Sequence, residues 1–208
     1  MKTTIKGLKT MKKIIVPLTA IALLTTGCDV DKAINDNPNE ITLADVDPKL
    51  FLNGAQLANV IVQVSHINRI CGMYSGQLIG FTSLYSNIYG YALSTVETNG
   101  EWNSAYIGVI TNARHIRKIV PEDKLMVGIS KVIEANAIGT LALLTGDVPY
   151  SEINNDEIED PKFDDQKAVL SSLSALLDDA ISDMNSSTST NAGLKLYDIY
   201  FEKVEYIY

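Results

Sequence analysis

The sequence predicts an all-α protein, because four segments carry apolar residues at helical spacing and no segment alternates as a strand would. Pro121 alone separates the second of these segments from the third, so the two are expected to form an antiparallel helical hairpin. Long stretches rich in glycine and tyrosine, or in acidic residues, separate the other segments. The predicted architecture is therefore helical hairpins joined by long irregular loops.

Composition and charge narrow the class of protein. The 208 residues include 17 Lys and Arg against 25 Asp and Glu, which gives a formal net charge of -8. Nucleic-acid binding requires clustered basic side chains, so a chain this acidic is not expected to bind DNA or RNA. Two cysteines are too few for a disulfide scaffold or for a tetrahedral thiolate metal site.

Residues 1–27 have the pattern of a lipoprotein signal peptide. They contain five lysines and no acidic residue, and the apolar run 14–24 is too short to span a bilayer but has the length of a secretory h-region. Met11 precedes two of these lysines and is an alternative start to Met1. The final Gly27-Cys28 resembles a bacterial lipobox, so we expect cleavage before Cys28 and its acylation with two or three chains, which hold a membrane stably. The alternative is an ordinary signal peptide with an incidental cysteine.

The chain after the signal peptide is more acidic than the whole. From residue 28 onward it carries 12 basic groups against 25 acidic ones, a net charge of -13. Residues 28–47 are polar and turn-rich and predict a flexible tether. Asp47 followed by Pro48 is a typical helix start. The first helix is predicted over 48–70, and its apolar residues at helical spacing are Leu50, Leu57, Ile61, Val64 and Ile67.

The segment 71–100 holds five glycines and four of the ten tyrosines, without a sustained helical face. It predicts a long irregular loop with a short helix near Tyr74–Gly80. Tyrosine offers sugars an apolar ring for their C–H faces and a hydroxyl for their polar edges. The candidate ligand-binding residues are therefore Tyr85, Tyr89 and Tyr91. Cys71 is predicted to be a small buried hydrophobe.

Three further helices are predicted at about 101–120, 122–145 and 164–184. Trp102 and Tyr106 begin the apolar stripe of the first of these helices and are expected to belong to the core. Asp164 is the expected N-cap of the last.

The string Gly146-Asp147-Val148-Pro149-Tyr150-Ser151-Glu152 is the sharpest local signal. Gly146 is expected to end the preceding helix in a left-handed conformation. Pro149 prevents the helix from resuming, which leaves Tyr150 able to fold back onto the helices. This structural interpretation leaves Asp147 and Glu152 unexplained, and a glycosidase carboxylate pair is the alternative. Acids are plentiful in a net-negative chain, so we do not expect an enzyme.

No metal or cofactor site is expected. His66 and His115 lie far apart in the sequence, and the acidic loop that ends at residue 160 lacks the alternation and the glycine of an EF-hand. The sequence contains neither a phosphate-binding glycine motif nor a Ser/His/Asp signature.

The order of these features resembles the SusD/RagB family of outer-membrane nutrient-binding lipoproteins. The residues that carry the resemblance are Cys28-Asp29, Asn37-Pro38-Asn39, Trp102 with Tyr106, the 146–152 string, and Pro161-Lys162-Phe163-Asp164-Asp165-Gln166. The resemblance covers about residues 28–185. It implies a scaffold of tetratricopeptide-like helix pairs, surface exposure on a Gram-negative outer membrane, and capture of an oligosaccharide without hydrolysis. It also implies delivery of that ligand to a SusC-like TonB-dependent porin. Among site residues, only the lipidated Cys28 is carried over.

Two departures from the family pattern concern length. Family members are usually more than twice as long, and residues 193–208 end abruptly in a way that resembles a frame-shifted end. Residues 48–208 are therefore expected to be the N-terminal portion of a SusD-like helical domain. The alternative function is a lipid-anchored helical-repeat scaffold that binds protein partners only.

Overall fold

A computed structural model describes residues 45–94, 97–153, 155 and 157–186. The predicted signal peptide, Cys28, most of the predicted tether and residues 193–208 lie outside these ranges.

The regular structure in the described ranges is helical. The helices are α1 (Pro48–Val64), α2 (His66–Tyr74), α3 (Ser83–Tyr89), α4 (Asn99–Asn103), α5 (Asn112–Ile119), α6 (Lys124–Thr145) and α7 (Gln166–Ser186), with a π-helical stretch, Ser104–Thr111, between α4 and α5. Extended pairing in this part of the chain is limited to one isolated antiparallel bridge, between Val148 and Asp164. The all-α prediction is confirmed.

The predicted first helix is two helices that break at Ser65. Asp47 caps α1 as expected, since its side chain accepts the backbone N–H of Lys49 at 3.0 Å. At Ser65 the backbone leaves the helical conformation, with φ -86° and ψ -127°. Glu101 then accepts the backbone N–H of His66 at 3.1 Å and the hydroxyl of Ser65 at 2.7 Å. A carboxylate distant in the sequence thus caps α2. The apolar spacing of residues 48–70 did not predict this break between two helices.

The buried face of α1 differs from the predicted one. The buried residues of α1 are instead Leu52, Ala55, Gln56, Ala58 and Val62. At this face a Cβ added to Gly108 of the π-helical stretch would lie only 2.6 Å from Ala58 Cβ, so the two backbones approach closely. Close approach favours small side chains. Of the predicted stripe, Ile67 is buried, whereas Leu50, Leu57, Ile61 and Val64 are exposed.

The predicted hairpin forms between α5 and α6. Arg114 contacts Glu134, whereas Arg117 contacts both Glu134 and Ser130, so residues later in α5 pair with residues earlier in α6. This is the antiparallel arrangement that the short connection at Pro121 predicts.

A second hairpin joins α6 to α7. A Cβ on Gly128 would lie 2.5 Å from the Met184 side chain, so glycine permits the close contact of these helices. Burial opposes protonation of Lys131, but Asp179 and Asp183 outweigh it and raise the pKa of this lysine. In the described part of the chain, α6 is long and apolar enough to cross a bilayer, with a mean hydropathy of 1.4. Two thirds of that window is buried by the other helices, as is typical of a core helix.

The segment 71–100 contains more helix than predicted, at a different place. The helix expected near Tyr74–Gly80 is absent from the described residues, because α2 ends at Tyr74 and the next helix is α3. Gly80 lies against the backbone of α3, where an added Cβ would be 1.9 Å from the carbonyl oxygen of Tyr85. Contacts of this kind depend on tertiary packing.

The predicted stripe of the second helix is altered by the π-helical stretch. Trp102 and Tyr106 pack against the main core but are only partly buried. The fully buried side chains here are Ala105, Val109, Ile110, Ala113 and Ile116.

Candidate functional site

A cavity of about 470 Å³ lies between α2, the loop before α4 and the C-terminal end of α6. Its apolar and aromatic lining residues are Ile67, Ile70, Cys71, Tyr74, Leu93, Trp102, Leu141 and Leu144, and its polar ones are Ser75, Thr98 and Thr145. The prediction that Cys71 is buried is wrong, since this thiol is exposed and faces the cavity. Pockets that bind small molecules commonly have this size and this mainly apolar lining.

Two pairs of stacked aromatic rings meet the cavity. Tyr74 stacks on Tyr91 with 4.8 Å between ring centroids and 28° between ring planes. Trp102 stacks on Tyr106 at 5.3 Å and 22°. Because Tyr74 and Trp102 line the cavity, each pair holds one wall ring in a defined orientation.

Tyr91 is held in an unusual conformation. Its φ of +61° lies in the left-handed region, which costs about 1 kcal/mol or more for a residue with a side chain. Tyr91 directly follows the C-cap of α3, where its backbone N–H donates to the carbonyl of Ile88 and that of Ala92 donates to the carbonyl of Asn87, both at 2.9 Å, so the left-handed conformation closes this helix. The residue is 73% exposed, so its ring is accessible to a ligand.

The three tyrosines predicted to bind ligand occupy two places. Tyr91 lies beside the cavity, stacked on Tyr74. Tyr85 and Tyr89 lie one turn apart on α3, and both are exposed. The guanidinium of Arg69 lies over the ring of Tyr85, 5.9 Å from its centroid. The role of these residues in ligand binding stays a prediction.

The 146–152 string and the 161–166 string are joined by hydrogen bonds and one ion pair. Gly146 ends α6 with a positive φ of +86°, as predicted, but as the C-cap and with a ψ of -123°, which is not left-handed helical. Asp147 accepts the backbone N–H of Gln166 at 2.9 Å, while the Gln166 side chain donates to the carbonyl of Ala142 at 2.6 Å. Glu152 accepts the backbone N–H of Lys162 at 3.1 Å and pairs with its ammonium at 3.0 Å. Both acids of the proposed carboxylate pair therefore have structural partners.

Asp164 does not cap α7, contrary to the prediction. Its carboxylate accepts the backbone N–H groups of Tyr150 at 3.0 Å and Ser151 at 2.7 Å, together with the Ser151 hydroxyl at 2.8 Å. The Ser151 amide is the main cause that holds the pKa of Asp164 below its ordinary value. Asp165 is the cap, since it accepts the backbone N–H groups of Lys167 and Ala168 at 3.0 and 3.1 Å.

The turn that these hydrogen bonds hold together, at residues 146–152, supports the aromatic wall of the cavity. Tyr106, which stacks on Trp102, donates its hydroxyl to the carbonyl of Pro149 at 2.8 Å. Burial is the main cause that raises the pKa of Tyr106, and the charge of Asp164 adds to it. Pro149 therefore has two roles: it terminates the helix and its carbonyl fixes Tyr106.

Tyr150 folds back onto the helices as predicted. It donates its hydroxyl to Glu134 at 3.2 Å and lies beneath the guanidinium of Arg114, 5.6 Å from its ring centroid. Burial raises the pKa of Tyr150 to about 12, with a further contribution from the charge of Glu134. Arg114 also donates to the carbonyl of Ile153 at 2.7 Å, so this network fixes both ends of the turn.

Sequence reasoning missed the cavity walls. Tyr74 lies in the tyrosine-rich segment, and its spacing from Ile67, Ile70 and Cys71 places these residues on one side of α2. That helical spacing was the available signal, but the assignment of 71–100 to a loop obscured it. On α6, Leu141 is buried and Leu144 is exposed, and both reach the cavity. Within the ranges described, no group of three or more His, Cys, Asp or Glu residues is placed to hold a metal ion.

Comparison with solved structures defines the class of protein first. A SusD/RagB family protein from Bacteroides thetaiotaomicron superposes with a TM-score of 0.66 at 22% identity, over 74% of this chain and 33% of that one. A SusD-like protein from the same organism superposes with a TM-score of 0.58 at 17% identity, over 73% of this chain and 33% of the other. The chain therefore has the α-helical fold of SusD-like proteins, and it spans about one third of the length of these two.

Comparison with family profiles then gives the family itself. The profile described as SusD-like, "Starch-binding associating with outer membrane", matches residues 38–204. The chain therefore belongs to the SusD-like family, as the resemblance predicted. A search of curated proteins found no match.

Proposed function

We propose that the chain is a cell-surface lipoprotein that captures oligosaccharides on its exposed tyrosines and passes them to a SusC-like TonB-dependent porin without hydrolysing them. The observation that carries the proposal is the stacked pair of Tyr74 and Tyr91. Tyr91 has an exposed ring that contributes little to the core. An exposed tyrosine ring suits the C–H face of a sugar.

The family description supports the class of ligand and the compartment, since it names starch binding and association with the outer membrane. The N-terminal pattern supports the lipid anchor at Cys28. A binding role is also favoured by Asp147 and Glu152, because both are engaged by groups of the 161–166 string.

Calorimetric titration tests this function. Residues 28–208 carrying Cys28→Ser would be titrated with maltoheptaose, and with cellohexaose and xylohexaose as controls for ligand class. The compact unit Thr42–Tyr208 lies wholly within this piece. We expect saturable heat with maltoheptaose and unchanged ligand on chromatography afterwards. Release of shorter sugars would contradict a binding role, and the absence of heat with all three would contradict the ligand class.

The anchor and the partner are tested in cells. Wild-type protein should fractionate with the outer membrane and be digested by protease added to intact cells, whereas Cys28→Ser should not remain membrane-bound. A tagged chain should co-purify with a TonB-dependent porin. Retention of the Cys28→Ser variant in the membrane would contradict lipid anchoring.

A protein-binding scaffold is the second candidate, and a different observation favours it. The face of α1 that carries Leu50, Leu57, Ile61 and Val64 is exposed and apolar. Contiguous exposed apolar surface of this kind marks sites of protein contact. If this were the whole function, Leu57→Lys would abolish co-purification of the porin while no oligosaccharide bound to the wild-type chain.

A further inference from the structure

We propose that the cavity beside Tyr74 and Trp102 binds an uncharged hydrocarbon group of a small amphiphilic ligand, and not a sugar ring. The cavity is bounded by aliphatic and aromatic side chains from α2, α6 and the loop before α4. Among the described residues that line it, none carries a charge. A volume of about 470 Å³ accommodates a small organic group.

Two of the three hydroxyl groups that Ser and Thr side chains bring to the lining are already used within the protein, which argues against a saccharide. Ser75 donates its hydroxyl to the carbonyl of Gly72 at 3.2 Å, and Thr145 donates to that of Leu141 at 2.8 Å. Both protons are therefore used within the helices. A sugar ring carries several hydroxyls, and each one buried without a partner costs about 1–3 kcal/mol. Hydrocarbon avoids this cost, and it gains about 0.8 kcal/mol for each buried CH₂.

The walls of the cavity are fixed before any ligand arrives. Trp102 is stacked on Tyr106, whose hydroxyl is held by the carbonyl of Pro149. Tyr74 is stacked on Tyr91. Walls that are already ordered lose little conformational entropy on binding, which favours affinity for a small group. The cavity also adjoins the exposed ring of Tyr91, so one ligand with a polar and an apolar part can contact both.

Fluorescence offers a direct test, because Trp102 is the only tryptophan of the chain. Residues 28–208 carrying Cys28→Ser would be titrated with octyl β-glucoside below its micelle concentration and with methyl β-glucoside. These probes share the sugar and differ in the alkyl chain. We expect the octyl compound alone to give a saturable blue shift of the Trp102 emission. In the same variant Cys71 is the one thiol, and its reaction with a maleimide should slow when the octyl compound is present.

Two matched substitutions locate the effect. Cys71→Phe places a ring in the cavity and should weaken octyl glucoside binding by at least about 10-fold, since it displaces two or more buried CH₂ groups. Leu143→Phe places the same ring on α6 outside the lining, at a residue 69% exposed, and should change affinity less than about twofold.

Three results would overturn the proposal: no response to either glucoside, an equal response to both, or equal weakening by both substitutions. The first is expected if residues 187–208 or a second copy of the chain fill the cavity. Maltoheptaose has no alkyl chain, so its titration reports on sugar binding by the exposed tyrosines and not on the cavity. Either proposal can therefore fail while the other stands.

Discussion

Glu134 is the buried charge on which the turn after α6 depends, and its removal gives the sharpest stability prediction. Its side chain is 1% exposed. It accepts hydrogen bonds from Arg114 at 3.1 Å, from Arg117, and from the Tyr150 hydroxyl at 3.2 Å. Glu134→Ala leaves two guanidinium groups and one phenol without this acceptor.

The expected loss follows from the exposure of the partners. Breaking a buried ion pair by removing one member costs about 3–5 kcal/mol. The side chains of Arg114 and Arg117 keep 27% and 20% exposure, so water recovers part of their solvation. We therefore expect Glu134→Ala to lower the free energy of unfolding by about 3 kcal/mol, a large share of the 5–15 kcal/mol typical of a domain. Glu134→Gln keeps the shape and should cost less.

Urea denaturation followed by circular dichroism at 222 nm measures this loss, and Trp102 fluorescence gives an independent probe of the same transition. Glu157→Ala, in an exposed loop, is the matched control and should change stability by less than about 0.5 kcal/mol. A double-mutant cycle between Glu134→Ala and Arg117→Ala should give a coupling of about 1 kcal/mol or more. A loss below about 1 kcal/mol for Glu134→Ala, or additivity in the cycle, would refute the reasoning.

Three other substitutions have defined outcomes. Gly146→Ala should destabilise by about 1–2 kcal/mol in urea denaturation, because φ is +86° there, whereas Gly100→Ala, with open space around it and an ordinary φ, should not; equal effects would contradict the role of Gly146. The raised pKa of Tyr150 means that the contribution of its protonated phenol to stability is full below about pH 10 and is lost as pH rises through about 12. The free energy of unfolding should therefore fall over that range, and by less in Tyr150→Phe; the same fall in both would exclude Tyr150 as its source. Asp164→Ala should lower the free energy of unfolding by about 1–2 kcal/mol, because the backbone N–H groups of Tyr150 and Ser151 lose their acceptor; this range already allows for the partial exposure of Asp164. Asp178→Ala, on the exposed side of α7, is the control and should be neutral.

Local signals predicted the ends of several helices correctly. Asp47 caps α1 and Gly146 ends α6 with positive φ, because capping is decided by neighbouring residues. The break at Ser65 had no such signal, since the group that accepts the hydroxyl of Ser65 and the backbone N–H of His66 is the distant carboxylate of Glu101. The choice between adjacent acids at the start of α7 also depends on distant partners, because Asp164 is occupied by Tyr150 and Ser151.

The side of α1 that faces the core could not be read from spacing alone. Both sides carry apolar residues, and the larger ones, such as Leu57, Ile61 and Val64, drew the prediction. The close approach of Gly108 to Ala58 selects the small-residue side instead. Periodicity locates apolar stripes, but the distance between helices decides which stripe is buried.

The candidate site was predicted only in part. Tyr91 was singled out by the density of tyrosines, and the structure places it on Tyr74 at the cavity. The cavity itself brings together residues from α2, α6 and the loop before α4, which lie up to 78 positions apart in the sequence. Such a juxtaposition is a property of the packed helices, and no local pattern encodes it.

The affinity of the Tyr91→Ala variant for maltoheptaose tests the central claim most directly. The substitution removes an exposed ring from a strained position, so the free energy of unfolding should change by less than about 1 kcal/mol. We predict that calorimetric titration will show binding weakened by at least about 10-fold relative to the unsubstituted chain, as expected for loss of an aromatic stacking partner. Equal affinity in the two proteins, with both folded, would contradict capture of the glycan by the Tyr74–Tyr91 pair.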